Sequence, residues 1–298
     1  MAQYIWVFLI LLYGIVKGLR EVLKKRAMET NSVLEVLFFY TLIAFLMILP
    51  FSRNVFDISL KYHIALLMKA GIIFIAWLCA LNSIKRLPLS IYSVMDMGRI
   101  IFSILLGVVF LGESIGVFQV IGIVLVVSGV TLVNLKNKRA NGEGVNKLVI
   151  LLVLASCVLN SLSSIMDKWL LSTDADRWIF KDEFITTSQL QFWYMLYLTL
   201  LYGAYILLKK EKINAVKCLK CPWIWILSLL FVIADRSLFI ANSDPNSTVV
   251  VMTLIKQSSV LVTITMGRLV YKEKHILYRI GCAFLVIIGI MVSLIKVT

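Results

Sequence analysis

Charged side chains inside otherwise apolar stretches are the residues of this sequence that could do chemistry. Each charge costs roughly 2.5–3.5 kcal/mol or more at the centre of a bilayer, so it is retained where it meets a partner or a water-filled cavity. Two interpretations are open: structural ion pairs that join helices, or a site that binds a solute. The candidate substrate-binding residues are Asp96, Arg99, Lys256, Gln257, Tyr92, Trp77, Lys17, Glu21, Asp235 and Arg236.

Spacing groups several of these residues. Tyr92, Asp96 and Arg99 follow one another at i, i+4 and i+7, which puts them on one face of a helix. A shift of 160 positions takes Asp96 onto Lys256, and Gln257 follows directly. Opposite charges at these equivalent positions predict either a salt bridge that gates a cavity or a site that holds both ends of a zwitterion. In the second case Lys256 and Arg99 bind the anionic group, and Asp96 takes an ammonium group or a coupling proton.

The same shift reveals a diverged internal duplication. It aligns Gly107 with Gly267 and Gly129 with Gly289. Glycines at recurring positions of apolar segments are typical of helices that approach closely, so they predict helix packing rather than ligand contact. A membrane protein built from two such halves is typically a transporter. The two predicted halves are residues 1–140 and 141–298.

Composition indicates the class of protein. Of the 298 residues, 61% are hydrophobic and only 15% are Asp, Glu, Lys or Arg, which is typical of a protein with many membrane spans. A span needs roughly 20 apolar residues, and five spans per half make the repeat an inverted one. We therefore expect an all-α membrane protein with ten transmembrane helices in two inverted five-helix repeats. The predicted spans are 4–25, 33–51, 62–84, 89–111, 114–135, 147–171, 185–208, 222–242, 247–270 and 275–296.

Positive charge is distributed unevenly over the loops. The formal net charge is +14, and seventeen Lys and Arg residues lie in the loops on one side of the ten predicted helices, against five on the other. Because basic loops stay in the cytoplasm, this asymmetry predicts that both termini lie outside. Basic loops also account for the net charge, and without a soluble basic domain they argue against nucleic-acid binding.

Residues suited to catalysis or metal binding are sparse. His63 and His275 each lie at a predicted helix boundary, and Cys218 and Cys221 form an isolated Cys-x-x-Cys. A lone pair of this kind without further ligands is weak evidence for a metal or redox site. The chain also lacks the phosphate-binding loop of ATP-driven pumps. The sequence therefore predicts no metal, no cofactor and no enzymatic activity.

Short motifs are distributed along nearly the whole chain. In the first half they are Leu12-Tyr13-Gly14, Ala80-Leu81-Asn82, Leu87-Pro88, Phe110-Leu111-Gly112-Glu113 and Ser128-Gly129-Val130, and in the second half Tyr271-Lys272-Glu273-Lys274 and Ile288-Gly289-Ile290. This pattern resembles the EamA-type branch of the drug/metabolite transporter superfamily. The resemblance implies a carrier that alternates between inward- and outward-open states. It also implies a central cavity lined by the third, fourth, eighth and ninth spans, with parts of the first and sixth.

The charges and the resemblance together predict a secondary active transporter in the cytoplasmic membrane. Its partners are the lipid bilayer and a small-molecule solute, with protons or a counter-solute as the expected coupling partners. Because the spans carry charges of both signs, we expect a zwitterionic or anionic metabolite rather than a lipophilic cation. The alternative is a membrane-embedded enzyme or flippase that acts on a phosphorylated lipid carrier.

Overall fold

The computed structural model describes residues 5–52, 54–111, 146–171, 185–244, 258–272 and 276–293, with isolated residues between 117 and 132 and at 252, 255 and 256. This part of the chain folds into helices and contains no strand. In chain order the helices are α1 Ile5–Ala27, α2 Val33–Ile48 with a 3₁₀ turn at Leu49–Phe51, α3 Leu60–Arg86, α4 Leu89–Asp96, α5 Arg99–Leu111, α6 Lys147–Leu171, α7 Thr187–Lys209, α8 Ala215–Leu219, α9 Pro222–Ser243, α10 Ser258–Tyr271 and α11 Ile276–Ser293.

Five of these helices are long and apolar enough to cross a membrane: α2 with its 3₁₀ turn, α3, α6, α7 and α9. They coincide with the predicted second, third, sixth, seventh and eighth spans. α1 has the length of a span, with 23 residues, but six charged residues between Lys17 and Arg26 make it less apolar. The predicted fifth span lies largely outside the described residues. The count of ten helices and the inverted repeat therefore stay predictions.

Two of the spans begin with the same capping arrangement. At α2 the Ser32 hydroxyl accepts a hydrogen bond from the Glu35 backbone N–H, and the Glu35 carboxylate accepts one from the Ser32 N–H. At α7 Thr186 and Gln189 form the same reciprocal pair. Each pair satisfies N–H groups that the first turn of a helix leaves without partners. The caps thereby fix where these two spans begin.

The predicted fourth span is two helices rather than one. α4 ends at Asp96 and α5 begins at Arg99, and the turn between them, Met97–Gly98, uses hydrogen bonds from residue i to i+3. Glycine lowers helix propensity by about 1 kcal/mol relative to alanine, which favours a break at this point. The predicted continuous helix is therefore interrupted between Asp96 and Arg99, although the Arg99 side chain still bonds to Asp96 across the break.

Side chains of α6 support the backbone at this break. The Ser161 hydroxyl donates a hydrogen bond of 2.7 Å to the carbonyl oxygen of Arg99. The Cys157 thiol lies 3.7 Å from the carbonyl oxygen of Asp96. Backbone groups released by a broken helix must find other partners inside a membrane. α6 supplies them, so the break is a built feature that holds Asp96 and Arg99 in place.

α1 packs against α3, α4, α9 and α10. Its approach to α10 is close because Gly18 has no side chain: a Cβ there would lie 2.7 Å from the Ser259 carbonyl oxygen. The Thr263 hydroxyl also donates a 3.4 Å hydrogen bond to the Gly18 carbonyl oxygen. This packing surrounds the charged residues of α1 with other helices.

The structure supports a packing role for one of the four glycines that the repeat singles out. A Cβ on Gly129 would lie 2.6 Å from Val286 Cγ2 and 3.1 Å from the Cys282 carbonyl oxygen. Gly267 and Gly289 are buried. These surroundings leave no room for a side chain at Gly129, as expected where two helices meet closely.

Three aromatic rings join α2, α3 and α9. The ring of Tyr40 stacks on Trp77 with centroids 5.6 Å apart, and Phe231 meets both rings edge-on. Such pairs contribute about 0.5–1.5 kcal/mol each beyond the area that they bury. The junction positions Trp77 and Phe231 beside the charged residues of α1.

Candidate functional site

A cavity of about 80 Å³ lies among α1, α3, α4, α5, α6, α7 and α9. At roughly 10–15 Å³ per water molecule, it holds about five to eight waters. Charged side chains of both signs line it, with aromatic and hydroxyl groups between them. The charged lining residues are Lys17, Arg20, Glu21, Lys24, Lys69, Arg99, Asp167 and Asp235, and the other polar and aromatic ones are Tyr13, Trp77, Tyr92, Asn160, Ser163, Ser164 and Tyr194.

Asp96 is the acceptor at the helix break. Lys17 of α1 places its Nζ 3.1 Å from Asp96 Oδ2, and one terminal nitrogen of Arg99 lies 2.8 Å from each carboxylate oxygen. Hydrogen bonds between two charged groups are roughly twice as strong as those between neutral groups. One carboxylate therefore ties α1 to both sides of the break.

Arg20 and Asp235 form a second ion pair, between α1 and α9. The nearest nitrogen and oxygen atoms are 3.6 Å apart, and the Arg20 guanidinium also lies 4.6 Å from the centre of the Phe231 ring. Arg20 Nε is buried and has no hydrogen-bond partner among the described residues. The pair is therefore loose, and the Nε–H group of Arg20 is available to donate a further hydrogen bond.

A third ion pair lies within α1. Lys24 Nζ is 2.9 Å from Glu21 Oε1, and the same ammonium lies 5.9 Å from the centre of the Trp77 ring. The second carboxylate oxygen, Glu21 Oε2, is buried without a hydrogen-bond partner in the described part of the chain. Glu21 Oε2 can therefore accept a further hydrogen bond.

The fourth ion pair joins α3 to α6. Lys69 Nζ lies 2.8 Å from Asp167 Oδ1 and 2.9 Å from the Ser163 hydroxyl, and it lies 4.7 Å from the centre of the Tyr194 ring. Lys69 is 2% exposed. A lysine so deeply buried is tolerated only with close partners, and here two oxygens and one ring supply them.

Lys256 does not bind Asp96, contrary to the predicted salt bridge between the two. Asp96 is held by Lys17 and Arg99 instead. Lys256 Nζ lies 5.7 Å from the centre of the Tyr13 ring, and no described carboxylate forms an ion pair with it. Because Tyr13 lines the cavity, Lys256 lies next to its wall.

The other eight predicted site residues have three outcomes. Six of them line the cavity: Trp77, Tyr92, Arg99, Lys17, Glu21 and Asp235. Arg236 instead donates a hydrogen bond of 3.0 Å to the Ser188 hydroxyl of α7, away from the lining residues. Gln257 lies outside the described residues. The structure thus brings together Asp96 and these six residues, with Lys256 adjacent.

Lys69 and Asp167 are lining residues that the sequence analysis missed. Both lie inside apolar spans, so the rule that flags intramembrane charges applies to them. Lys69 is an isolated charge within α3, and Asp167 lies in the last part of α6 with Lys168 directly after it; neither has a charged neighbour three or four residues away. Arg20, Lys24, Tyr13 and Tyr194 were missed as well, although Arg20 and Lys24 lie one turn from predicted residues.

Comparison with known proteins gives a family match over the first part of the chain. Residues 4–135 match the model of the EamA-like transporter family. This part of the chain is therefore similar to the EamA-like transporters. The family is part of the drug/metabolite transporter superfamily, and the predicted resemblance is confirmed. No curated protein matches the chain.

The match to the EamA-like transporter family is accompanied by a similarity in fold. A solved structure described only as "Crystal structure of protein" aligns with a TM-score of 0.62, at 14% identity, over 98% of this chain and 96% of that chain. At this level of identity the similarity shows a shared fold and carries no information about the solute.

Cys218 lies in α8, and Cys221 directly precedes α9. Within the described ranges no group of three His, Cys, Asp or Glu residues could hold a metal ion. Cys218 and Cys221 are free thiols. Burial, with a smaller contribution from the charge of Glu35, raises the pKa of Cys218 to about 11. Cys218 is therefore protonated near neutral pH, and its surroundings favour a structural role.

Proposed function

We propose that this protein is a secondary active transporter that moves a small polar or charged metabolite, zwitterionic or anionic, by alternating access. The observation that carries the proposal is the cavity between apolar helices with charges of both signs in its wall. Intramembrane charges are expensive and accompany solute or ion pathways. The similarity of residues 4–135 to a family of transporters supports the same assignment.

The geometry suggests how solute binding could be linked to a change of state. Lys17 and Arg99 hold Asp96 in the unloaded arrangement. An anionic group that binds Arg99 competes for its hydrogen bonds and weakens its contact with Asp96. Asp96 is then available for a coupling proton or for an ammonium group of the solute. Because α5 is joined to α4 through a turn, this exchange acts where the backbone can bend.

The proposed architecture is that of the sequence analysis: ten spans in two inverted repeats, residues 1–140 and 141–298, with both termini outside. The loop before α9 is then cytoplasmic and carries Lys209, Lys210 and Lys212, which are exposed. Labelling of single introduced cysteines with an impermeant maleimide in intact cells tests the orientation. Reaction from outside in this loop, without reaction at Thr298, would reverse it.

Flux measured in proteoliposomes tests the transport function directly. Vesicles loaded with a defined mixture of amino acids, carboxylic acids and phosphate esters should lose one component faster than protein-free vesicles. The same compound added outside should accelerate that loss, because exchange bypasses return of the empty carrier. Mass spectrometry of the vesicle contents gives the readout. Equal retention of every component in both preparations would contradict the proposal.

Two variants connect the flux to the cavity. Asp96→Asn removes the shared acceptor of Lys17 and Arg99 and should reduce exchange at least about tenfold, a change of about 1.4 kcal/mol. Asp57→Asn changes the same residue type at an exposed position and should exchange like the parent protein. Similar exchange by both variants would remove Asp96 from the mechanism.

A further inference from the structure

The charges around the cavity do not balance. Among the described residues, five cations and three carboxylates line it, and Asp96 adds a fourth carboxylate through its contacts with two of those cations. Lys256, beside the lining residue Tyr13, is a sixth cation. The cluster therefore has a surplus of two positive charges. Uncompensated charges inside a membrane are costly, so this surplus favours a ligand of opposite sign.

Donors without partners accompany the surplus. The Nε atoms of Arg20 and Arg99 are buried and have no hydrogen-bond partner in the part of the chain that is described, and both arginines line the cavity. Lys256 adds an ammonium that forms no ion pair with a described carboxylate. Guanidinium groups match the geometry of carboxylate and phosphate oxygens. These three cations therefore have capacity for further oxygen ligands.

Acceptors for a positively charged group are already close to cations. Each of the four carboxylates has a cation within 3.6 Å. An ammonium group would compete with these cations and enlarge the surplus. Glu21 Oε2 and Asp167 Oδ1 are buried acceptors without a hydrogen-bond partner among the described residues. Each belongs to a carboxylate beside a lysine, so these oxygens suit neutral donors such as hydroxyl groups.

We infer that the transported solute carries two negative charges, as a small phosphate monoester or dicarboxylate does. The inference rests on the proposed function and narrows it from zwitterionic or anionic solutes to dianions. Arg20, Arg99 and Lys256 bind the anionic oxygens, and Glu21 accepts from a hydroxyl group of the solute.

Thermal unfolding of the purified parent protein tests the charge class. Separate pools of dicarboxylates, phosphate monoesters, monocarboxylates, zwitterionic amino acids and quaternary amines serve as probes. A ligand that binds only the folded state raises the apparent melting temperature. One of the two dianion pools should raise it more than every other pool, and the pool that does so distinguishes phosphate from dicarboxylate. Greatest stabilisation by amino acids, monocarboxylates or amines, or by no pool, would overturn the inference.

A pair of lysine variants assigns the effect to the cavity. Lys256→Gln removes a cation that has no ion pair in the described structure, so the fold should persist. The affinity for the dianion should fall about tenfold, which corresponds to about 1.4 kcal/mol of binding free energy. Lys209 is the matched control, since it also lies over a tyrosine ring, 5.2 Å from the centre of Tyr205, but is exposed. Lys209→Gln should bind like the parent. Equal affinity in both variants would contradict the assignment.

The proposed function and this inference fail in different ways. Exchange of an amino acid by proteoliposomes, with no binding of dianions, would leave transport standing and overturn the charge class. Stabilisation by dianions without flux of the same compounds would leave the charge class standing and count against transport.

Discussion

Two buried ion pairs, each joining a helix of residues 1–140 to a helix of residues 141–298, differ in the distance between their charged atoms. Each pair contains one buried atom without a hydrogen-bond partner among the described residues, Asp167 Oδ1 and Arg20 Nε. Lys69 and Asp167 are 2.8 Å apart, and Ser163 adds a second oxygen at 2.9 Å. Arg20 and Asp235 are 3.6 Å apart, and Arg20 Nε has no hydrogen-bond partner among the described residues. We interpret the first pair as a structural link between α3 and α6. The second pair keeps capacity for a solute.

Breaking the tight pair should give the largest effect on stability. Lys69→Met leaves the Asp167 carboxylate buried without its cation, and breaking a buried pair on one side costs about 3–5 kcal/mol. The free energy of unfolding in detergent should fall by this amount, as measured by denaturant titration. The double variant Lys69→Met with Asp167→Leu should recover much of the loss. If the single variant unfolded like the parent, the structural interpretation of this pair would be wrong.

Changing the loose pair should affect binding more than stability. Arg20→Lys retains the charge opposite Asp235 but removes the guanidinium donors. Because the charge pair with Asp235 remains, we expect the free energy of unfolding to change by less than about 1 kcal/mol. The stabilisation that the bound solute gives to the parent protein should be largely lost. Arg26→Lys changes a partly exposed arginine of the same helix and is the control. A loss of stability as large as that of Lys69→Met would erase the difference between the pairs.

Helix packing around α1 offers a smaller test. A Cβ at Gly18 would meet the Ser259 carbonyl oxygen at 2.7 Å, whereas a Cβ at Gly71 of α3 has nothing within 4 Å. Gly18→Ala should therefore cost about 1–3 kcal/mol through overpacking. Gly71→Ala should stabilise by up to about 1 kcal/mol through helix propensity. Equal effects of both substitutions would mean that α1 is not tightly packed against α10 at Gly18.

Two cysteines near α8 also differ in how accessible they are. Cys218 is fully buried with a pKa raised to about 11, whereas Cys221 is partly exposed. At pH 8 a thiol with this pKa is only about one part in a thousand thiolate, the reactive form. In single-cysteine variants, maleimide should therefore label Cys221 faster than Cys218. Similar rates would show that the α8 region is more open than the structure describes.

The sequence predicts the bundle well because apolar length is a strong signal. The five confirmed spans all contain long uncharged stretches, and their predicted ends lie within a few residues of the observed ones. The break at Met97–Gly98 was missed because a single glycine in an apolar run is a weak signal. What permits the break is the support from Ser161 and Cys157, about sixty residues later in the chain.

The sequence shows which charged residues share one helix, but not which helices pair, and this explains both the correct and the wrong predictions for the site. Lys17 and Glu21 were found because they are spaced four residues apart on one helix. Lys69 was missed because its partner, Asp167, lies in another helix. Arg236 was selected with Asp235 because they are adjacent, yet neighbours on a helix point about 100° apart. Pairing between helices is set by tertiary structure, which one sequence does not display.

The charged face of α1 has a consequence for the biosynthesis of the protein. α1 is made before its partners, and its charges weaken its own preference for lipid, while Asp96 and Asp235 are made about 80 and 215 residues later than the residues they pair with. Domains generally fold from the N-terminus during synthesis, but this helix cannot complete its contacts until α9 and α10 have emerged from the ribosome. A helix translated before all of its partners is thus among the last to reach its final position.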